Sequence, residues 1–444
     1  MNMKIFILWL LCVVICISTI TAAAQNNTSV SSNITKKEIG AQSNKLGVDL
    51  LHELRKTEQD KNVVISPVSI SIALSMLMNG ADQQTQQQMA TLLGIDVTAL
   101  GAVNKAVSDF LDSAIQADPA VELEIANAIF SQKGKRINAA FMKITQKEFQ
   151  GRIKELDFNA DKEAVTKINK WVEQKTNGKI HTIFATLDPN TVMVLANAVY
   201  FKSAWQYPFN VKLTTDREFT GGDKKKKVPT MNQEGHFQYQ QTKDFQAVSL
   251  SYGEDDRFCM DIYLPKSGVT LDTMLKGLMA TALKKNARNF AKASGELFLP
   301  RFKVEWVQNL RQSLIALGMK DAFNNGKADF SKLFDDTGNY ALDMVKHKTV
   351  IEVNEEGTKA AAVTASVAVF ASTDPTPRFV MDVNRPFFFV IRDKDTGAIF
   401  FMGTILDPIK YDILDPIKYD EGELDEGEID DLLREDRDLK KDFE

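Results

Sequence analysis

The stretch Glu355-Glu356-Gly357-Thr358-Lys359-Ala360-Ala361-Ala362-Val363-Thr364-Ala365 is extended in character yet almost without bulk. Side chains alternate across a pleat, so a strand here puts Thr358, Ala360, Ala362 and Thr364 on one face. All four are small enough to slide between existing strands and pack on a crowded core. Gly357 stands at the start, where a chain that must fold back needs an unrestricted backbone. Such a segment suits an exposed loop in one state and an interior strand in another. Any fold proposed for the chain has to accommodate both.

The surroundings describe an exported globular protein. Lys4, the apolar run Ile5 to Ile17 and then Ala22-Ala23-Ala24 read as a secretory leader over residues 1–24, cleaved after Ala24. The run is shorter than the roughly 20 apolar residues a spanning helix needs, which disfavours the alternative of a membrane anchor. Three acceptor sequons follow, at Asn26, Asn27 and Asn33, on a polar arm read as residues 25–39. Asn26 and Asn27 overlap, so crowding favours one glycan there. Cys12 and Cys16 leave with the leader, and Cys259 stays alone in the apolar run Phe258 to Ile262. A lone thiol makes no internal disulfide, so the fold must hold through its core. A net charge of −5 with 25% charged residues points to neither nucleic acid nor a membrane surface as a partner.

From Gly40 to Pro408 the pattern is continuous, without low-complexity linkers. Helical periodicity is clear over Ile70 to Met78 and from Val103 to Ile115. Strand-like runs lie at Val192 to Phe201, Phe258 to Tyr263, Glu296 to Val304, Val380 to Ile391 and Ala398 to Ile405. Helices dominate early and strands late, with no βαβ repeats, which predicts an α+β domain with large sheets over 40–408. Beyond it, Leu406-Asp407-Pro408-Ile409-Lys410-Tyr411-Asp412 recurs eight residues later, and an acidic stretch runs to Glu444. Residues 409–444 are read as an appended tail whose composition cannot build a core.

Several separated stretches resemble the serpins, in the right order and over nearly all of 40–408. They are Asn62-Val63-Val64-Ile65-Ser66-Pro67-Val68-Ser69-Ile70, then Leu195-Ala196-Asn197-Ala198-Val199-Tyr200-Phe201-Lys202 with Trp205. His347 follows, eight residues before Glu355, then Asn384-Arg385-Pro386-Phe387 and Phe400-Phe401-Met402-Gly403. The resemblance, in motif style like that of secreted arthropod members, implies three β-sheets, eight to nine helices and an exposed reactive-centre loop over about 355–380. It implies a hinge of Glu355, Gly357, Thr358, Ala360, Ala362 and Thr364. It also implies a shutter and breach of Ser66, Ser69, Asn197, His347 and Trp205, with His347 bonded to Asn197. The residues alone agree this far: short polar groups inside apolar sequence need partners when buried.

The resemblance further implies a suicide inhibitor of an extracellular serine protease, monomeric and without a cofactor. The protease acylates itself on the loop, which then enters the sheet. The family's spacing places the scissile bond at Ala371-Ser372, suited to an elastase-like pocket; Phe370-Ala371, suited to a chymotrypsin-like pocket, is the alternative. Lys359 stands where the family usually has glutamate and is expected to face solvent after insertion. A non-inhibitory serpin with a carrier or storage role is the runner-up, and inhibition of papain-like proteases a third reading.

No Gly-x-Ser-x-Gly elbow, phosphate loop or paired histidine spacing points to an enzyme or a metal site. Lys224 to Lys227 read as a solvated hairpin turn, with a glycosaminoglycan contact as the sharper alternative. The acidic tail reads as a solubilising extension, or as a ligand for a basic exosite on the protease or for the chain's own lysines.

Overall fold

The computed structural model describes residues 34–408, apart from 117, 222–223, 281–288, 337, 339 and 358–377. The leader, the three sequon asparagines, the loop residues from Thr358 to Pro377 and the tail lie outside the described residues. Within them the chain forms eight α-helices and fourteen strands, an α+β architecture.

Helix α1 (Lys36–Thr57) starts on a reciprocal cap. The Thr35 hydroxyl accepts from the Glu38 amide while the Glu38 carboxylate accepts from the Thr35 amide at 2.7 Å. The last four residues of the segment read as an arm therefore belong to this helix. The short strand β1 (Val63–Ile65) leads into α2 (Pro67–Met78), with Ser66 as N-cap and Pro67 at the first helical position. Every residue of α2 is buried, as expected of a helix apolar all round. The remaining helices are α3 (Gln83–Leu93), α4 (Leu100–Ile115), α5 (Ala139–Phe149), α6 (Asp161–Lys175), α7 (Leu271–Ala280) and α8 (Arg311–Ala316). The periodic run at Val103 to Ile115 is α4.

One sheet has five strands in the order β10-β11-β4-β2-β3: Phe302–Asn309, Met344–Val353, Met193–Ser203, Val121–Gln132 and Arg152–Leu156. Its centre, β4, is buried at all but one position, which explains its largely apolar sequence. Val194, Ala196, Ala198 and Tyr200 face the layer built by Ile168 and Trp171 of α6 with Ile183 and Phe184. On the other face Phe201 meets the rings of Tyr252, Phe258 and Phe401, which belong to the second sheet or its edge.

That second sheet has nine strands. The path β1-β14-β13-β8-β7-β6-β9-β12 uses Val63–Ile65, Ile399–Ile405, Phe387–Asp393, Phe258–Pro265, Phe245–Ser251, Lys224–Gln241, Ala291–Pro300 and Phe379–Asp382, and β5 (Thr215–Gly221) pairs with β6. The third sheet of the expected fold is joined to the second through β6, whose 18 residues serve β5 at one end and β7 at the other.

Three local expectations change. Glu296 to Val304 is two strands in different sheets, separated at Arg301, because the chain crosses from β9 to β10 there. Val380 to Ile391 likewise divides into β12 and β13. Lys224 to Lys227 are no turn: they open β6 and pair along β5, Gly221 opposite Lys224 and Glu218 opposite Lys227. Polar side chains on a half-exposed strand are indistinguishable from a loop by composition.

Close helix packing sets a steric limit. A Cβ at Gly47 on α1 would lie 2.4 Å from Pro67 Cγ on α2, whereas one at Gly101 would meet open space. Gly47→Val should cost about 1–3 kcal/mol, as overpacked cores do, read as a lower urea midpoint. Gly101→Ala should leave the midpoint unchanged or slightly raised.

Candidate functional site

Strands β4 and β11 are neighbours and parallel, pairing from Met344 with Val194 to Val350 with Tyr200. A buried polar cluster lies across the middle of this seam. Asn197 on β4 stands opposite His347 on β11 and opposite Asn127 on β2. The backbone amide of Ser66 donates to His347 Nε2 at 3.1 Å. An amide can only donate, so Nε2 must accept and the ring proton sits on Nδ1, from which it is donated to Asn197 Oδ1. Asn197 Nδ2 then spends its hydrogens on the Ser69 hydroxyl and on Asn127 Oδ1. Ser66 Oγ accepts from the Ser69 amide at 3.3 Å. The structure thus brings together Ser66, Ser69, Asn197 and His347, and adds Asn127.

At the upper end of the seam β11 runs into a tight turn. The Asn354 amide donates to the Gly357 carbonyl at 2.9 Å, and the Glu356 carbonyl accepts from the Trp205 amide at 2.9 Å. Trp205 Nε1 donates to the Asn354 carbonyl at 2.9 Å, and the Trp205 ring stacks on Tyr252 with centroids 4.3 Å apart. The Glu355 carboxylate is buried and accepts from Arg301 Nε at 2.7 Å and from the Thr214 hydroxyl; the Phe209 amide donates to the Glu355 carbonyl at 2.8 Å. Gly357 has φ +124° and forms an antiparallel bridge to Ala204, just past the end of β4. A Cβ there would lie 2.3 Å from the Ser203 carbonyl, so glycine is required both by angle and by space.

The remaining hinge positions Thr358, Ala360, Ala362 and Thr364, and the bond candidates Phe370, Ala371 and Ser372, lie outside the described residues. Cys259 is fully buried beside Asp261, and burial pushes its thiol far up, away from the reactive thiolate form. Sequence reasoning missed Asn127, Arg301, Thr214 and Tyr252. A signal existed for the first: Ala126-Asn127-Ala128 repeats the pattern Ala196-Asn197-Ala198, and the two lie directly opposite.

Burial holds the His347 imidazole well below its ordinary 6.5, at about 3, with Asn197 opposing that effect. Protonation would place an N–H against the Ser66 N–H. The unfolded chain takes up its proton first, so His347 contributes stability above about pH 6.5 that is lost progressively as pH falls towards 3. A thermal midpoint that declines between pH 7.5 and 5 is expected. In His347→Gln, which keeps an acceptor and a donor but does not titrate, the neutral-pH midpoint should drop and the decline should flatten.

Comparison with known proteins agrees with this geometry. The family model for serpin (serine protease inhibitor) matches residues 41–408. Human neuroserpin is 32% identical over 379 residues, covering 82% of this chain and 90% of neuroserpin. Iripin-2 from Ixodes ricinus is 35% identical over 370 residues, covering 82% and 91%. The crystal structure of human thyroxine-binding globulin superposes with a TM-score of 0.78 at 28% identity, covering 84% of this chain and all of that one. With two layered sheets, a polar cluster across the β4–β11 seam and a family match over most of its length, the chain belongs to the serpin family of protease inhibitors.

Proposed function

We propose that this protein is a secreted suicide inhibitor of a serine protease of elastase-like or chymotrypsin-like specificity. The protease attacks the reactive loop, forms an acyl-enzyme, and is trapped when the loop enters the seam between β4 and β11. The observation that carries the reading is the bridge from Gly357 to Ala204: the chain has already reversed and holds one antiparallel rung above the seam.

Continuing that register opposes Thr358 to Ser203, Ala360 to Phe201, Ala362 to Val199 and Thr364 to Asn197, and carries Ala368 down to Met193. Opposed residues share a face. The four small side chains therefore fall on the crowded side of β4, with Phe201 and Asn197, while Lys359 falls with Lys202 on the other side. A strand placed there runs antiparallel to both neighbours, replacing one parallel ladder by two antiparallel ones, the slightly more stable pairing. Roughly a dozen net ladder bonds at about 1 kcal/mol each amount to on the order of 10 kcal/mol. That is comparable with the stability of a whole domain and enough to distort an attached protease. Loss of oxyanion-hole donors then slows deacylation, by about 10²–10³ for each donor.

In this reading the scissile bond is Ala371-Ser372, with Phe370-Ala371 as the neighbouring register. The leader over 1–24 exports the chain, and Asn26 or Asn27 and Asn33 carry glycans. The domain spans 40–408 and acts as a monomer.

Incubation with elastase and with chymotrypsin, followed by denaturing gels and mass spectrometry, tests the reading. An SDS-stable complex with a released peptide beginning at Ser372 or Ala371 is expected. Cleavage there without a complex or a gain in thermal stability would instead support the non-inhibitory reading. Thr358→Arg places a charge on the crowded face and should turn inhibitor into substrate: the same bond is cut, and the yield of complex falls at least about tenfold, as a burial penalty of 1.4 kcal/mol or more requires.

A further inference from the structure

The net charge of −5 is divided unevenly along the chain. Residues 409–444 hold fifteen acidic and six basic side chains, so the rest of the chain is net +4. From Asp420 to Asp431 there are eight carboxylates and no cation. The chain leaves the described body through Leu406, Asp407 and Pro408, and this exit is built against the β5–β6 pair. Asn62 Oδ1 accepts from the amides of Leu406 at 2.8 Å and Asp407 at 3.1 Å, and Asn62 Nδ2 donates to the Asp407 carbonyl at 2.8 Å. The Asp407 carboxylate pairs with Lys226. On β5, a Cβ at Gly221 would come within 2.6 Å of the Leu406 carbonyl, so the strand and the exit touch.

Lys226 is thus the one member of its run already neutralised by the departing chain. Lys224, Lys225 and Lys227 are exposed, and Lys224 and Lys227 have no ion pair among the described residues. Beside them, a cavity of about 390 Å³ is lined by Arg217, Glu218 and Thr220 of β5 and by Asp382, Asn384 and Arg385. Arg217 pairs with Asp382 at 2.8 Å, yet its Nε is buried without an acceptor. Lys224 and Lys227, Lys225 with only the exposed Glu218 at 2.7 Å as its partner, and a guanidinium short of an acceptor therefore stand at the place where an acidic segment leaves the fold.

We propose that the acidic tail folds back onto this corner of its own molecule, its Asp420–Asp431 carboxylates lying along Lys224, Lys225 and Lys227. The reach suffices. Asp420 lies twelve positions beyond Pro408, at most about 40 Å when extended, and the lysine run spans about 10 Å. The tether holds the tail at an effective concentration of order millimolar, which a separate anionic ligand would have to match. The contact is a docking of exposed charges and weakens as salt screens them. It stands independently of whether the loop inhibits a protease.

Zero-length carbodiimide coupling of the full chain, mapped by mass spectrometry, tests this. At low salt, tail carboxylates should couple within one molecule to Lys224, Lys225 and Lys227. The yield should fall at least about tenfold in about 1 M salt, where the screening length is about 3 Å. The same loss is expected in the variant Lys224→Glu/Lys225→Glu/Lys227→Glu, whose folding is checked by its thermal midpoint. Coupling of the Lys105–Asp109 pair, 2.6 Å apart and exposed, serves as the internal control. Tail carboxylates that couple to other lysines, to a second molecule, or to none while that control couples, would overturn the proposal.

Discussion

The hydrogen-bond chain Ser66–His347–Asn197–Asn127 has one allowed direction, and the arrangement around the seam follows from it. Its polarity is set by a backbone amide, which cannot reverse. That amide fixes the His347 tautomer, the tautomer fixes the orientation of the Asn197 carboxamide, and the carboxamide aims its two hydrogens at α2 and β2. A fully satisfied network of this kind specifies one register in a core that apolar packing alone would leave free to slip. Thr349 adds a further tie, its hydroxyl donating to the Val64 carbonyl at 2.8 Å. Strands β4, β11 and β2 are thereby joined to the start of α2.

The two ends of the seam are held differently. In the middle, neutral polar groups bond to one another in a buried site, where each partner lost leaves another unpaired. At the top, the bonds belong to the turn itself: Trp205, Phe209 and Arg301 grip the backbone and carboxylate of residues 354–356, and Gly357 rests on Ala204. The upper grip holds the chain where it leaves β11, and the middle cluster ties β4 to β11 across the seam. That division of labour is what a loop entering from above requires.

The fold was legible to the extent that residues declare burial. The largely apolar run of β4 follows from burial on both faces, and the all-buried α2 from its mostly apolar sequence. Asn197 and His347 stood out as polar groups in apolar surroundings, and the structure brings them together. What could not be read were features that depend on a partner distant in sequence. Arg301 looks like an ordinary surface cation until Glu355 is placed beside it. The lysines at 224–227 look like a turn because nothing local shows that β5 pairs with them. Glu296 to Val304 looks like one strand because no glycine or polar cluster interrupts the apolar residues on either side of Arg301, although the buried phase shifts there.

Entry of a strand between β4 and β11 also has to deal with what covers them. The segment between α6 and β4 lies over the sheet and is pinned from α6: Asn169 Oδ1 accepts from the amides of Ile183 at 2.8 Å and Phe184 at 3.1 Å. From the other side of the seam, Lys348 on β11 donates to the Thr182 carbonyl at 2.7 Å, with Glu305 at 3.6 Å. Asn169 belongs to the helix and Lys348 to the strand that must move, so widening the seam by one strand spacing, about 4.8 Å, cannot preserve both. Burial lowers the Lys348 ammonium's proton affinity, and Glu305 opposes that shift. A buried ammonium released from a carbonyl needs water or another acceptor at once. For the insertion proposed above, the resistance would therefore lie not only in the closed ladder but also in the Lys348 cation, and the two would have to yield together.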